Sequence, residues 1–417
     1  MKTNKLFILL TAVCMFFVYS CEDDIQTQNN QELVLKGKGG NGNGNGNGNG
    51  GSNNSGITVT LQDLGTLGGN TSSANAIEFS SVNNDIWIVG VSNTENDEAH
   101  AFLWKESDQI MHDLGYLHVD YPHSEANDIN PDGIIIGRST SLEPMWHSSE
   151  AASWSADPVG GPISINPANS VNSSAKAINN LGDVAGSRVD TCGYEHLGYG
   201  PCTEDSPGGA DLSIWSAFMW NEDGTYTDLG TLGFDSWALG INDSKFVVGY
   251  SEIITEDPFN IRAFMWQNDQ IGMIPGLENM YSKAMDVNSS GQIIGYYNAD
   301  PGCSLCEIRG FIYDQDNLGQ WVFNQLPTFG EATHAEAISD SGYVAGQSFT
   351  KNTYNAFLWH KDIGIINIAA LSGVKGSYAT DVIEHPTDSN KIFVVGSFCT
   401  KTQNCIPHAA LWTVTLP

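Results

Sequence analysis

From residue 57 onward the apolar residues fall into short runs, and three of these patterns return in a fixed order. The first is S-x-A-x-x-[IV]-N. It reads "SEANDIN" from Ser124, "SSAKAIN" from Ser173, "SWALGIN" from Ser236 and "SKAMDVN" from Ser282. Looser copies are "SANAI" from Ser73, "THAEAIS" from Thr333 and "SYATDV" from Ser377. The second is an apolar run closing on Gly90, Gly137, Gly186, Gly249, Gly295, Gly346 and Gly396. The third is A-F-L-W or a relative, ending at Trp104, Trp154, Trp220, Trp266, Tyr313, Trp359 and Trp412. Short apolar runs bounded by turn residues are strand signals. Seven copies of each, spaced 46 to 66 residues apart, predict a repeat fold.

We name these patterns strands A, B and C. A fourth segment, typified by "DLGTLGG" from Asp63 and "DLGTLGF" from Asp228, supplies strand D. The expected fold is an all-β, seven-bladed β-propeller with four-stranded antiparallel blades. The A–B connections "NPDG", "NNLG" and "NSSG" carry the residues of tight hairpins. "NPDGI" lacks the remaining ligands of a calcium loop and reads as a turn. The repeat region begins with a D-type strand, "ITVTLQDLG", and ends with a C-type strand, "HAALW". The N-terminal strand should therefore complete the last blade and close the ring, removing a large exposed sheet edge.

The N-terminal region is different. Lys2 and Lys5 precede an apolar run that ends at Cys21, too short for a membrane span and suited to a signal peptide over residues 1–20. Its "VYSC" ending resembles a bacterial lipobox, and the following "EDD" resembles the export signal of surface lipoproteins in Bacteroidota. That resemblance implies a lipidated (palmitoylated) Cys21, an outer-membrane anchor and a domain facing the exterior. Residues 21–56 end in a Gly/Asn tract that can bury no core and should act as a flexible tether, leaving residues 57–417 as the propeller.

Net charge is −31 with 17 basic residues, which argues against a broad nucleic-acid-binding surface. Beyond Cys14 and Cys21 six cysteines remain in three local pairs: Cys192 with Cys202, Cys303 with Cys306, and Cys399 with Cys405. An oxidising exterior favours disulfides within these loops. The single "CSLC" has no second pair with which to form a zinc site. No cofactor is implied, a structural metal stays open, and a monomer is expected.

The combination of "DLGTLGG", S-x-A-x-x-I-N, "VVGYS" and "HAFLW" (His100 to Trp104) resembles the HAF family of extracellular repeats, from about residue 57 to 417. The resemblance implies a repeat frame and says little about activity.

Strand direction alternates in each blade, so the B–C loops and D–A links share one face. The B–C loops are long and individual, as variable binding loops on a rigid frame are. All four arginines map there: Arg138 and Arg188 follow strand-B glycines, and Arg262 and Arg309 precede strand C. His123 stands at the mouth of strand A in blade 2, and His147 lies in the blade 2 loop. Tyr194, His196 and Tyr199 lie between Cys192 and Cys202. Tyr250, Tyr296 and Tyr297 follow strand-B glycines, and Trp237, Lys283 and His334 occupy the second position of strand A, towards the axis. His100 and His408 belong to the repeat's own pattern and read as scaffold.

The chain has no HExxH, P-loop or GxSxG motif, so those three chemistries lack support. A face rich in His, Tyr and Arg suits carbon–oxygen elimination from a uronate: Arg stabilises the enolate, and His or Tyr moves the protons. The arrangement is similar to propeller polysaccharide lyases that cut ulvan. The residues expected to be catalytic are His123, Tyr199, Arg138 and Arg188. Substrate contacts are expected from His147, Tyr194, His196, Trp237, Tyr250, Arg262, Lys283, Arg309 and His334. β-Elimination and dehydration remain open, as does an alternative without catalysis: a surface propeller for glycan binding or adhesion, with Trp237 and the tyrosines as stacking platforms.

Overall fold

The computed structural model describes residues 56–140, 149–157, 159–167, 170–190, 215–254, 261–300, 307–316, 318–350, 353–400 and 405–417. Within these, seven four-stranded antiparallel sheets are arranged as blades. Their inner A strands are Gly68–Ser80, Ser124–Ile129, Ser170–Ile178, Ser236–Ile241, Ser282–Val287, Ala332–Ile338 and Ser377–Glu384. Each blade packs on the next, and blade 7 returns to blade 1. The strand Thr58–Asp63 pairs with Pro407–Thr415, so blade 7 takes its outer strand from the beginning of the domain. One short helix, Ile368–Ser372, follows blade 6. The expected architecture and ring closure are both present.

The repeated letters have identifiable work. Numbering the A motif 1 to 7, the serine at position 1 accepts a hydrogen bond from the strand-C alanine N–H of the preceding blade. Examples are Ala101 to Ser124 (2.8 Å), Ala217 to Ser236 (2.8 Å) and Ala356 to Ser377 (3.0 Å). In blade 1 this residue is Ser72, which accepts from Ala409 N–H and donates to Gly65 O, so the copy begins one residue before the "SANAI" register read from Ser73. Asparagine at position 7 accepts from its own A–B turn with Oδ1 and donates across to the next blade with Nδ2. Asn179 reaches Asn242 O at 3.1 Å, Asn242 reaches Asn288 O at 2.9 Å, and Asn288 reaches Ser339 O at 3.0 Å.

In all seven blades the A–B register slips between positions 3 and 5, leaving position 4 as a bulge. A Cβ on any strand-B glycine would lie 1.9–2.2 Å from the carbonyl oxygen of position 2, which is why only glycine closes that run. The strand-C phenylalanine then covers the glycine, and Phe102, Phe218, Phe264, Phe311 and Phe357 are fully buried.

Position 5 alternates between large and small. Asp128, Asp286 and Asp381 each accept the N–H of the following residue and also an N–H of the next blade, from Ile178, Ile338 and Ile77. The next blades carry Ala177, Ala337 and Ala76 there, leaving room for the carboxylate. Blade 4 carries Gly240, where a Cβ would come within 2.9 Å of Asp286 Cα.

"DLGTL" is a linker device. Asp63, Asp113 and Asp228 each accept the N–H of the glycine two residues on, at 2.8–2.9 Å. Leu67 and Leu232 N–H then donate to strand-B Ser92 and Ser251 of the blade being entered. His100 and His408 pair with Asp113 and Asp63 at 2.8 and 3.0 Å, in keeping with their scaffold reading.

Candidate functional site

The frame's own bonds show which axial residues it leaves unused. At position 4, Asn75, Asn127 and Thr380 donate to the backbone of the next blade at 2.6–3.0 Å. Blades 3 to 6 instead place Lys176, Leu239, Met285 and Glu336 there, lining an axial cavity of about 430 Å³. At position 2, on the B–C side, the same blades present Ser174, Trp237, Lys283 and His334. Each of these pairs in register with the residue after a strand-B glycine: Ser187, Tyr250, Tyr296 and Gln347.

These side chains form an arc. Trp215 stacks on Trp237 at 6.4 Å between centroids, and Trp237 on Tyr250 at 4.8 Å. Lys283 Nζ sits 4.0 Å from the Tyr250 ring, an ammonium on a π face. Across the next gap Tyr296 stacks on His334 at 4.4 Å. In blades 6 and 7 the ring of Tyr354 lies 5.5 Å from that of Tyr378. All are half-buried.

This geometry alters the stacking reading. Trp237 has Trp215 on one side and Tyr250 on the other, and Tyr250 is covered in turn by Lys283. The rings therefore offer edges and polar tips. Trp237 Nε1, the Tyr250 hydroxyl and Lys283 Nζ make no hydrogen bond to any described residue. They are donors held in line by one another's rings.

Electrostatics sharpen the arc. Burial lowers the Lys283 ammonium, opposed by Glu336. Burial, and then Lys283, push the His334 imidazole down to about 4, so it is neutral near pH 7. Burial raises Glu336 to about 7 against the pull of Lys283. Gln347 Nε2 donates to Glu336 Oε1 at 3.2 Å, and His334 Nδ1 lies 4.0 Å from the same oxygen. Burial raises the Tyr250 phenol well above its usual value. Lower in the channel, burial raises Asp128 and Asp286, takes Asp381 to about 7 and takes Glu78 to about 8.

The arginines are dispersed. Arg138 binds Glu125 through Nε and Nη2 at 2.9 and 2.7 Å, at the mouth of blade 2. Burial alone would raise Glu125, but Arg138 and Lys176 hold it below its usual range. Arg188 is buried and turned outward against the Tyr226 ring and hydroxyl, 3.7 Å from Asp228. Arg262 donates to Glu278 O at 2.8 Å, and Arg309 to Glu331 O at 2.6 Å, so both clamp D–A links. His123 is exposed, and its Nδ1 accepts from Ala99 N–H at 3.1 Å.

The structure thus brings together Trp237, Tyr250, Lys283 and His334 of the expected residues. It does not gather His123, Arg138 and Arg188 into one constellation. Tyr199, His147, Tyr194, His196, Cys21, Cys192, Cys202, Cys303 and Cys306 lie outside the described residues. Cys399 and Cys405 are joined by a disulfide. Glu336 and Trp215 escaped the sequence reading. Glu336 could have been found as the one acid at position 4, where blades 1, 2 and 7 use an amide or hydroxyl to tie the ring. Among the described residues, no three His, Cys, Asp or Glu side chains converge as a metal site would.

No protein-family model matches the chain, and no curated protein matches it. Solved structures similar to it include the polysaccharide lyase Uly1, at 8% identity and TM-score 0.46 over 82% of this chain and 90% of that one. A streptogramin B lyase matches at 11% and 0.43 over 86% and 98%. An α-L-arabinofuranosidase from Fusarium graminearum matches at 7% and 0.37 over 86% and 97%. Likenesses this distant assign no activity. The chain is a seven-bladed β-propeller with an arc of donors at one mouth that no described residue bonds.

Proposed function

We propose that the protein binds an acidic, uronate-containing glycan at the B–C mouth of blades 3 to 6. The carrying observation is the row of three donors, Trp237 Nε1, Tyr250 OH and Lys283 Nζ, left unbonded by the described residues of a chain of net charge −31. An anionic ligand makes the strongest use of a desolvated ammonium flanked by neutral donors. On this reading the HAF-type frame is a rigid holder, and a lipid on Cys21 with its tether would present the mouth outside the cell.

A second reading adds turnover, and His334 favours it. A neutral imidazole beside Lys283 and against Tyr296 has the parts for uronate elimination. His334 would take the C5 proton, and Lys283 would stabilise the carboxylate as it becomes an enolate. The electron pair would form C4=C5 as the C4–O bond breaks, with Tyr296 protonating the departing oxygen.

Titration calorimetry with polygalacturonate, alginate and ulvan tests binding. Lys283→Ala and Trp237→Ala are each expected to weaken it at least about tenfold, or ~1.4 kcal/mol. Unchanged affinity in both variants, or no binding to any of the three, removes the proposal. Ultraviolet absorbance of the unsaturated product distinguishes turnover: His334→Ala should abolish it while retaining affinity. Binding with no absorbance rise in wild type leaves the glycan-binding reading and eliminates the lyase.

A further inference from the structure

A second opening lies on the other side of the ring. It is a cleft of about 430 Å³ between blades 5 and 6, near the A–B and C–D turns and away from the donor arc. Its origin can be traced to one residue. In blades 1, 4, 6 and 7 the residue three before the strand-B glycine is aromatic and shares a core cluster with the aromatic residue that ends strand C of the next blade. Trp87 and Trp154 belong to one such cluster, Phe246 and Tyr313 to another, Tyr343 and Trp412 to a third, and Phe393 and Trp104 to a fourth. The four strand-C rings, Trp154, Tyr313, Trp412 and Trp104, are 0–3% exposed.

Blade 5 carries Gln292 at that place. Its amide is engaged within its own blade, accepting from Asn288 at 2.8 Å and donating to Asp314 at 2.6 Å. Trp359 of blade 6 meets no apolar ring from that place and is half-buried, with one flank on the cleft. Between blades 2 and 3, Ile134 is the corresponding residue and Trp220 is likewise half-buried, in line with the same cause. Beside Gln292 the cleft combines an apolar floor, Ile312 and Leu326, with polar walls that include Asp314, Asn324 and Lys361. Trp359 Nε1 and the Asn324 amide bond to no described residue.

We propose that this cleft is a separate binding site for a neutral pyranose sugar. An indole flank with aliphatic neighbours suits the C–H face of a sugar ring. The Gln292 and Asn324 amides and the Asp314 carboxylate suit its hydroxyls, and Asp314 disfavours an anionic sugar. The volume admits one or two rings. Its ligand class therefore differs from that of the donor arc, so the two sites can be tested apart.

The test uses the folded protein and a panel of glucose, galactose, mannose, xylose and rhamnose, read by saturation-transfer NMR with tryptophan fluorescence as the second signal. At least one sugar is expected to give saturable transfer. Gln292→Phe copies Phe246 and Phe393 and should fold while filling the cleft, weakening that signal by at least about tenfold. Asn324→Ala, an exposed change, should weaken it without altering the unfolding midpoint. Trp237→Ala should leave it unchanged. No saturable signal from any of the five sugars, or an equal signal in Gln292→Phe, overturns the proposal. Polygalacturonate binding measured on the same variants reports the donor arc separately.

Discussion

Single residues show how tightly the repeat is specified. Gly90 abuts Ser73 O, with a would-be Cβ at 2.1 Å and the Phe102 ring at 3.0 Å. Neither can withdraw, since one is backbone and the other is fully buried. Gly90→Ala should therefore cost about 3 kcal/mol or more, measured as the urea midpoint at constant m. Asn242→Ala tests the ring of amides. It leaves the Asn288 carbonyl and the Phe246 N–H without their partner, at an expected cost of about 1–3 kcal/mol. An unchanged midpoint would mean that the inter-blade amide bonds contribute nothing. Both residues were visible in the sequence as repeated letters. Their reasons were not, because a glycine that admits a neighbouring carbonyl and a glycine that turns a hairpin look the same in one dimension.

At the level of strands, the D–A link and ring closure matter most. The N-terminal strand contributes Val59 to the blade 7 core and pairs along Thr58–Asp63. A chain starting after Asp63 would leave Pro407–Thr415 as an open edge. It should lose its single cooperative unfolding transition and aggregate, as seen by light scattering. A deletion variant melting as sharply as the full chain would show that closure is dispensable. Strand order and closure were legible because strand periodicity is local and the D-type start is out of phase with the C-type end. The donor arc was legible only in parts. Trp237, Tyr250, Lys283 and His334 stood out as departures from the repeat, but which ring covers which depends on contacts between blades. The arginines misled for the same reason: their loop-proximal positions were right, but Arg188, Arg262 and Arg309 turn to an outer strand or link carbonyls and Arg138 is taken up by Glu125.

The whole molecule stores protons along its axis. Glu78 at about 8, with Glu336 and Asp381 at about 7, is raised chiefly by burial. A raised carboxyl keeps its proton in the folded state, so its contribution is complete below the ordinary value of 4.5 and is lost as pH rises through about 8. His334, lowered from 6.5 to about 4, acts oppositely, and only below its ordinary value. The sign is thus cleanest on the alkaline side. Between about pH 6.5 and about pH 8.5 the wild type should lose thermal stability, and Glu78→Gln should lose measurably less. Parallel melting curves for the two proteins would contradict this.

The alternation of aspartate and small residue at position 5 has a further consequence. A two-state pattern cannot close on an odd number of blades, so parity forces at least one pair of like neighbours. Here the mismatch falls at Ala177 and Gly240, in blades 3 and 4. A circle of near-identical units thereby acquires a fixed angular origin, distinct from the seam where the first and last strands of the ring meet in blade 7. The run from Trp215 to His334 starts at that origin. An even-numbered relative built from the same letters could alternate perfectly, and would have no such landmark from which to break its symmetry.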